Sequence, residues 1–181
     1  ASWADGPDAE INLVAESLPV SVPPYAELMV FPDLMLRYGH EGLSVTGQVR
    51  VPSGSVVIKS LPESAIGVSR DTVVAGQEAG SQPMPLALDL EVLIGEEQVD
   101  FNGFGVTGNL EGRLQLADDM MANGELNLRN GRYELYGQDL RIRRATLLFS
   151  GPIDRPFLDI EAVRIVDDVT AGIRLTGPAD E

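Results

Sequence analysis

The chain has 181 residues, of which 28 are acidic and 13 are basic, and its net charge is −15. A surface with this charge repels nucleic-acid phosphates and anionic membrane surfaces, and the absence of cysteine excludes disulfides, thiolate nucleophiles and cysteine-bound zinc. No apolar run approaches the roughly 18 residues of a membrane-spanning helix. The charge is uneven, because residues 1–128 carry 5 basic and 19 acidic side chains whereas residues 129–181 carry 8 and 9. Contacts with anionic groups are therefore expected in the second part of the chain.

The N-terminal part of the chain is weakly patterned. Residues 1–17 are expected to form a poorly patterned N-terminal end with one short strand at 11–15. Four prolines between residues 18 and 32 exclude a regular helix there, and short strands are predicted at 28–31 and 34–38. We expect residues 18–177 to form a single β domain within a larger repeating β-structure, and residues 178–181 to be a cut end.

From residue 43 onward, apolar and polar residues alternate, which is typical of strands with one buried face. Residues 43–51 alternate cleanly, and the PSG sequence at 52–54 predicts a hairpin turn that returns through 56–61. Residues 62–85 are expected to be a longer polar connection. Turns are predicted at Asp118-Asp119 and at Asn130-Gly131, the latter as a hairpin. Further alternating segments occupy residues 86–92, 99–101, 110–116, 126–128, 140–150 and 173–176.

This pattern predicts about ten to twelve strands, no helix, and an all-β fold with antiparallel neighbours. We expect a long, strongly curved, mostly single-sheet trough with an apolar concave face. Glycines such as Gly47, Gly112 and Gly172 interrupt alternating strands, where they permit curvature, and few aromatic side chains are present to fill a wide interior. The alternative is a β-sandwich, in which two sheets fill each other's apolar faces.

Motifs for catalysis or metal binding are weak. The glycines of residues 103–108 match GxGxxG, but the following segment alternates as a strand, so a strand corner is the better interpretation. Asp100, Asn102, Gly105 and Glu111 fit part of a calcium loop, whose fifth position is a phenylalanine without an oxygen ligand. The only histidine, His40, lies in a Gly-rich turn. We therefore predict no catalytic residue, metal site or cofactor, and the chain is not expected to be an enzyme.

A family resemblance is carried by several short motifs. Residues 131–164 contain YGQDLRI, FSGP, PFLDI and AVR, and upstream stretches contain VSRDTVV and FNGFG, in the same order as in the family. With these motifs, residues 42–177 resemble the C-terminal domain of the TamB family, and we expect the chain to be a piece of a larger TamB-like protein.

The resemblance implies a function as well as a fold. TamB-like proteins are anchored in the bacterial inner membrane, span the periplasm and work with TamA, an outer-membrane barrel. They are similar to AsmA-like and other bridge-like lipid transfer proteins, whose curved sheets form a long hydrophobic groove. The resemblance thus implies a non-catalytic periplasmic segment whose groove holds phospholipid acyl chains moving between the two membranes. The alternative that it implies is a chaperone-like module that binds unfolded strands of outer-membrane proteins.

The candidate groove residues are the apolar members of the alternating segments. Arg141, Arg143 and Arg144 are interpreted as solvated strand residues, with contact to lipid head groups as the alternative. The groove-lining set comprises Leu43, Val45, Val49, Leu86, Leu88, Leu90, Leu110, Leu114, Leu116, Leu126, Leu128, Leu140, Ile142, Leu147 and Phe149.

Overall fold

The computed structural model describes residues 9–40, 42–58, 85–135, 137–166 and 169–179. The predicted polar connection at 62–85 lies outside these ranges except for Pro85. Ten strands and one 3₁₀ turn, Asp118–Met120, make up the described elements. The strands are β1 Ala9–Val14, β2 Leu18–Val22, β3 Ala26–Gly39, β4 Gly42–Ile58, β5 Leu86–Gly103, β6 Val106–Ala117, β7 Met121–Leu135, β8 Gln138–Pro152, β9 Phe157–Val166 and β10 Val169–Pro178.

All ten strands belong to one open sheet, in the order β1-β3-β4-β5-β6-β7-β8-β9-β10. The short β2 pairs with the same edge of β3 as β1 does, one strand after the other. Close packing between strands follows this hydrogen-bonded order, so the described strands form no second layer. The all-β prediction is confirmed, and a single open sheet fits the curved trough better than the alternative sandwich.

The sheet has two chemically different faces. Register places Val49, Val92, Leu114, Gly124 and Phe149 in one row across five strands. Because paired residues point to the same side of a sheet, this row defines what we call the apolar face. The residues between them along each strand lie on the opposite side, called the polar face.

The prediction of a hairpin at residues 52–54 was wrong. β4 continues through this segment to Ile58, and Pro52 lies at a register shift between Val51 and Ser53 rather than in a turn. Proline is tolerated within a strand at such a bulge, where the ladder is already interrupted. β4 instead pairs in parallel with β5, so antiparallel pairing holds for every pair of the sheet except this one.

The prediction of a hairpin at Asn130-Gly131 was also wrong. Both residues lie inside β7, where Asn130 has a φ of 52°. A left-handed residue suits a bulge as well as it suits a two-residue turn, and the register between β6 and β7 shifts at this point. The chain reverses a few residues later, between β7 and β8.

Bulges interrupt the strand pairing on both sides of β6. They fall at residues 51–53 of β4, 94–99 of β5, 129–132 of β7 and 142–144 of β8. Each bulge bends its strand and increases its twist. β6, which lies between these two pairs of strands, has no bulge of its own. The bulges lie near mid-length of their strands, and the open sheet fits a curved trough.

Glycines allow close approach of strands on the apolar face. Gly47 has a φ of 137°, and a Cβ atom there would lie 2.1 Å from the carbonyl oxygen of Asp33 on β3. Gly112 is placed in the same way against Glu125 of β7. Gly172 differs, because it lies on the polar face opposite Val163 and has no such backbone contact.

Side chains of the apolar face pack along the sheet in two clusters. Val99 is only 1% exposed although no described strand covers it. One cluster, toward the β6–β7 turn, contains Leu114, Ala122 and Phe149 with Val92, Leu116, Leu126, Leu147 and Ile153. The other, toward the β7–β8 turn, contains Leu140, Ile142, Ala145 and Ala162 with Val106, Leu128, Tyr133 and Ile160.

Candidate functional site: the apolar face of the sheet

Register places all fifteen candidate residues on the apolar face. The face begins on β4 and β5 with two alternate pairs, Leu43 with Leu86 and Val45 with Leu88. The face continues through the pairs of β5 with β6, β6 with β7 and β7 with β8. Leu114, Leu140, Ile142 and Phe149 are buried, Leu86 is exposed, and the other ten are half-buried.

The face is wider than the predicted set. Val92, Ile94, Val99 and Phe101 extend it along β5. On β9 and β10, Ile160 pairs with Leu175, and Ala162 pairs with Ile173. On β3 it includes Leu34 and Leu36, which pair with Leu13 and Ile11 of β1. Alternation could have identified Val92 directly, but Val99 and Phe101 change from even to odd positions after the β5 bulge, which conceals them from a strict period of two.

The polar face carries the ion pairs between strands. Arg113 of β6 lies 3.3 Å from Glu91 of β5, and Arg129 of β7 lies 2.6 Å from Glu111 of β6. Such exposed pairs contribute at most about 1 kcal/mol each. Their main consequence is that the two faces differ in polarity, because these ion pairs lie on the polar face and the rows of aliphatic side chains lie on the other.

Two of the three arginines singled out in the sequence are paired within the sheet. Arg143 contacts Glu161 at 3.6 Å and Arg144 contacts Asp159 at 3.1 Å, both on β9. The β8 bulge allows two consecutive arginines to reach the same strand. For these two, the interpretation as strand residues without a head-group role has a structural basis; Arg141 is placed differently, opposite Arg132 of β7.

Asp159 is the centre of a small charge network. It accepts a hydrogen bond from Arg144 and a second one, at 3.2 Å, from Arg174 of β10. The Arg144 hydrogen bond, reinforced by the charge of Arg174, lowers the pKa of the Asp159 carboxyl group, against a smaller opposing effect of desolvation. The network thus connects the last three strands on the polar face.

The remaining motifs lie in turns. Phe104 and Gly105, in the GxGxxG match, form the β5–β6 turn with positive φ angles, which confirms the interpretation as a strand corner. His40 is exposed in the β3–β4 turn. Within the described ranges, no group of three or more His, Cys, Asp or Glu side chains is arranged to hold a metal ion. In the same ranges, no helix has the length and apolar character needed to cross a membrane.

These features define a class of protein, an all-β domain built as one open, bulged sheet with a continuous apolar face. Residues 1–181, the whole chain, match the family model of the TamB C-terminal domain. The chain is 32% identical over 204 residues to the translocation and assembly module subunit TamB of Haemophilus influenzae, covering 99% of this chain and 16% of that protein. The chain therefore belongs to the TamB family, as the resemblance of its motifs predicted.

Proposed function

We propose that this domain is a periplasmic, non-catalytic segment of a translocation and assembly module, and that its apolar face is a groove for phospholipid acyl chains. The chains move along the groove between the inner and outer membranes while the head groups remain in water. The chain spans only 16% of the length of its Haemophilus influenzae relative. The whole protein to which it belongs is, in this proposal, anchored in the inner membrane and works with a TamA-like outer-membrane barrel.

The observation that carries the proposal is the apolar face that no described strand covers. It runs through rows of paired Leu, Val, Ile and Phe side chains from β1 to β10. Contiguous apolar surface larger than a few hundred Å² is rare on proteins without a hydrophobic partner. A ligand made of hydrocarbon supplies that partner without requiring any polar group at a fixed position.

The dimensions of the sheet suit an acyl chain. β1 and β2 share one position, so the sheet is nine strands wide, which corresponds to about 43 Å at roughly 4.8 Å per strand. Each CH₂ group buried on the face contributes about 0.8 kcal/mol. Because the lining consists of similar aliphatic side chains throughout, neighbouring positions along the groove are close in energy, which permits a bound chain to slide.

The proposal is tested with a charge placed on either face of one strand. Leu88 is half-buried on the apolar face of β5, and its neighbour Ala87 is exposed on the polar face. We expect Leu88→Glu to abolish binding of a fluorescent phospholipid, because the carboxylate would have to lose its hydration against hydrocarbon. Ala87→Glu adds the same charge one residue away and should bind as the wild-type chain does.

Equal binding by the two variants would contradict the groove, provided that both retain the wild-type circular dichroism spectrum. A wild-type chain that purifies without lipid and ignores a hydrophobic dye would also contradict it, since a filled apolar face behaves in that way.

The second candidate, strand addition to an unfolded outer-membrane protein, is favoured by one observation. β10 ends the sheet and pairs with a described strand on one side alone, and Ile173 and Leu175 are 63% and 57% exposed. An unpaired edge with apolar side chains is a template for another strand.

Proline in β10 separates the two candidates. In an antiparallel pair, successive residues direct their N–H groups alternately toward and away from the neighbour, so either Ile173 or Arg174 directs its N–H outward. Proline removes an N–H group, so it lowers the melting temperature only at the position whose N–H donates to β9. The variant of Ile173→Pro and Arg174→Pro that keeps the wild-type melting temperature therefore carries proline at the position whose N–H points outward. Strand addition predicts that this variant loses binding of an unfolded barrel peptide, whereas the lipid groove predicts unchanged phospholipid binding.

A further inference from the structure

Two arginines on the polar face oppose each other directly. Arg132 of β7 and Arg141 of β8 are cross-strand partners, and like charges in this position destabilise a sheet. Among the described residues, no carboxylate lies within ion-pair distance of either guanidinium group, whereas the neighbouring Arg143 and Arg144 each have one. The pair therefore concentrates positive charge that no carboxylate of the described residues compensates through an ion pair.

The pair borders a depression between β8 and β9. Hydrogen-bonded register between these strands runs from Arg141 and Val163 to Leu148 and Phe157, and the residues of β8 before Arg141 have no partner in β9. The separated strands leave a depression of about 350 Å³. Three arginines and one aspartate give its lining a net charge of +2. The lining residues are Arg132, Asp139, Arg141, Val163, Arg164 and Ile165.

The depression adjoins both faces of the sheet. Val163 lies opposite Arg141 on the polar face and is 5% exposed. Arg164 follows Val163 and, because side chains alternate along a strand, belongs to the apolar side, where Leu140 and Ile142 form one of the two apolar clusters. Arginine side chains and the apolar cluster therefore lie at neighbouring positions at this end of β8 and β9.

We propose that Arg132 and Arg141 bind a phosphate group, namely that of a phospholipid whose acyl chains lie on the apolar face. The inference rests on the proposed function and adds to it a place for the head group. Guanidinium groups donate paired hydrogen bonds to phosphate oxygens. Asp139 opposes the anion, and the site is exposed to solvent, so binding is weak, reversible and sensitive to salt.

The experiment compares two double variants of the 181-residue chain. Arg132→Gln with Arg141→Gln removes the proposed site; Arg113→Gln with Arg129→Gln removes the same charge from paired arginines on the same face. Binding is measured with phosphatidylglycerol and with diacylglycerol, which carries the same chains without phosphate. Inorganic phosphate is titrated separately, with the arginine Nε resonances as the readout, because a free anion is the other source of this chemistry.

We expect the Arg132/Arg141 variant to bind phosphatidylglycerol about tenfold more weakly, as for the loss of two exposed charge-assisted hydrogen bonds, and to bind diacylglycerol normally. The control variant should bind both lipids as the wild type does. Equal phosphatidylglycerol affinity of the two double variants would overturn the site while leaving the groove intact. Phosphate shifts at Arg132 and Arg141 in a chain that binds neither lipid would support the anion site and contradict the groove; no binding of lipid or phosphate would overturn both.

Discussion

Gly124 of β7 lies directly opposite Leu114 of β6 on the apolar face, and a Cβ atom at position 124 would lie 2.2 Å from the carbonyl oxygen of Arg113. The φ angle of Gly124 is 132°, a conformation that side-chain-bearing residues rarely adopt. The close approach brings the backbones of β6 and β7 together at the centre of one apolar cluster.

Gly124→Ala should therefore destabilise the chain strongly. We expect a loss of about 2 kcal/mol or more in the free energy of unfolding, because the backbone of β6 or β7 must move and the left-handed conformation is strained. Gly151→Ala is the matched control, since Gly151 lies on the same face one row away and a Cβ there meets nothing within 4 Å. Urea denaturation measures both; a Gly124→Ala chain as stable as the control would contradict the close approach.

Asp118 supplies a hydrogen-bond acceptor to the start of β5, on the side where β6 does not yet pair with it. β5 begins three residues before its first partner in β6, and in this stretch the N–H of Leu88 donates to Asp118 Oδ1 at 2.5 Å. Asp118→Ala should lower the free energy of unfolding by about 1 kcal/mol. Asp118→Asn keeps an oxygen acceptor and should recover most of that loss, so equal destabilisation by the two substitutions would assign the effect to charge instead.

The Asp159 network predicts a pH dependence of stability. The pKa of Asp159 is lower in the folded state than in the unfolded state. At pH values near and below the unfolded-state pKa, the unfolded state therefore binds more protons, and stability falls as the pH falls. The stability difference between the wild type and Asp159→Asn should be constant above about pH 5 and shrink as the pH drops below about 4.

The control for this prediction is Asp33→Asn, which removes an exposed carboxylate of β3. Thermal unfolding between pH 3 and 7 measures both series. The prediction is contradicted if the stability difference between the wild type and Asp159→Asn stays constant down to pH 3. It is also contradicted if that difference changes with pH in the same way as the difference between the wild type and Asp33→Asn.

Alternation was sufficient to assign strands and faces wherever a strand contains no bulge. Residues 110–116 of β6 keep one phase throughout, and every apolar residue predicted there lies on the apolar face. Where a bulge adds residues, the phase changes without any signal in hydropathy. The groove-lining set predicted from alternation therefore lacks Val99 and Phe101 of β5, although Val99 is among the most buried residues of the face.

Strand connectivity required more than local signals. A Pro-Ser-Gly sequence and an Asn-Gly pair both occur in hairpins, but here each lies within a long strand, at a bulge flanked by paired residues. The parallel contact between β4 and β5 joins segments separated by more than twenty residues. Alternation is also the same for a sandwich and for a trough, so only the three-dimensional arrangement distinguishes them.

The central claim, that lipid chains lie on the apolar face, is tested most directly by photo-crosslinking at two adjacent residues of β7. Leu126 lies half-buried on the apolar face, and Glu125 is exposed on the polar face. A photoreactive residue is placed at one position or the other, the chain is incubated with phospholipid vesicles and irradiated, and the adducts are measured by mass spectrometry. The groove predicts phospholipid adducts at position 126 and none at position 125; equal adducts at both positions, or none at position 126, would contradict it.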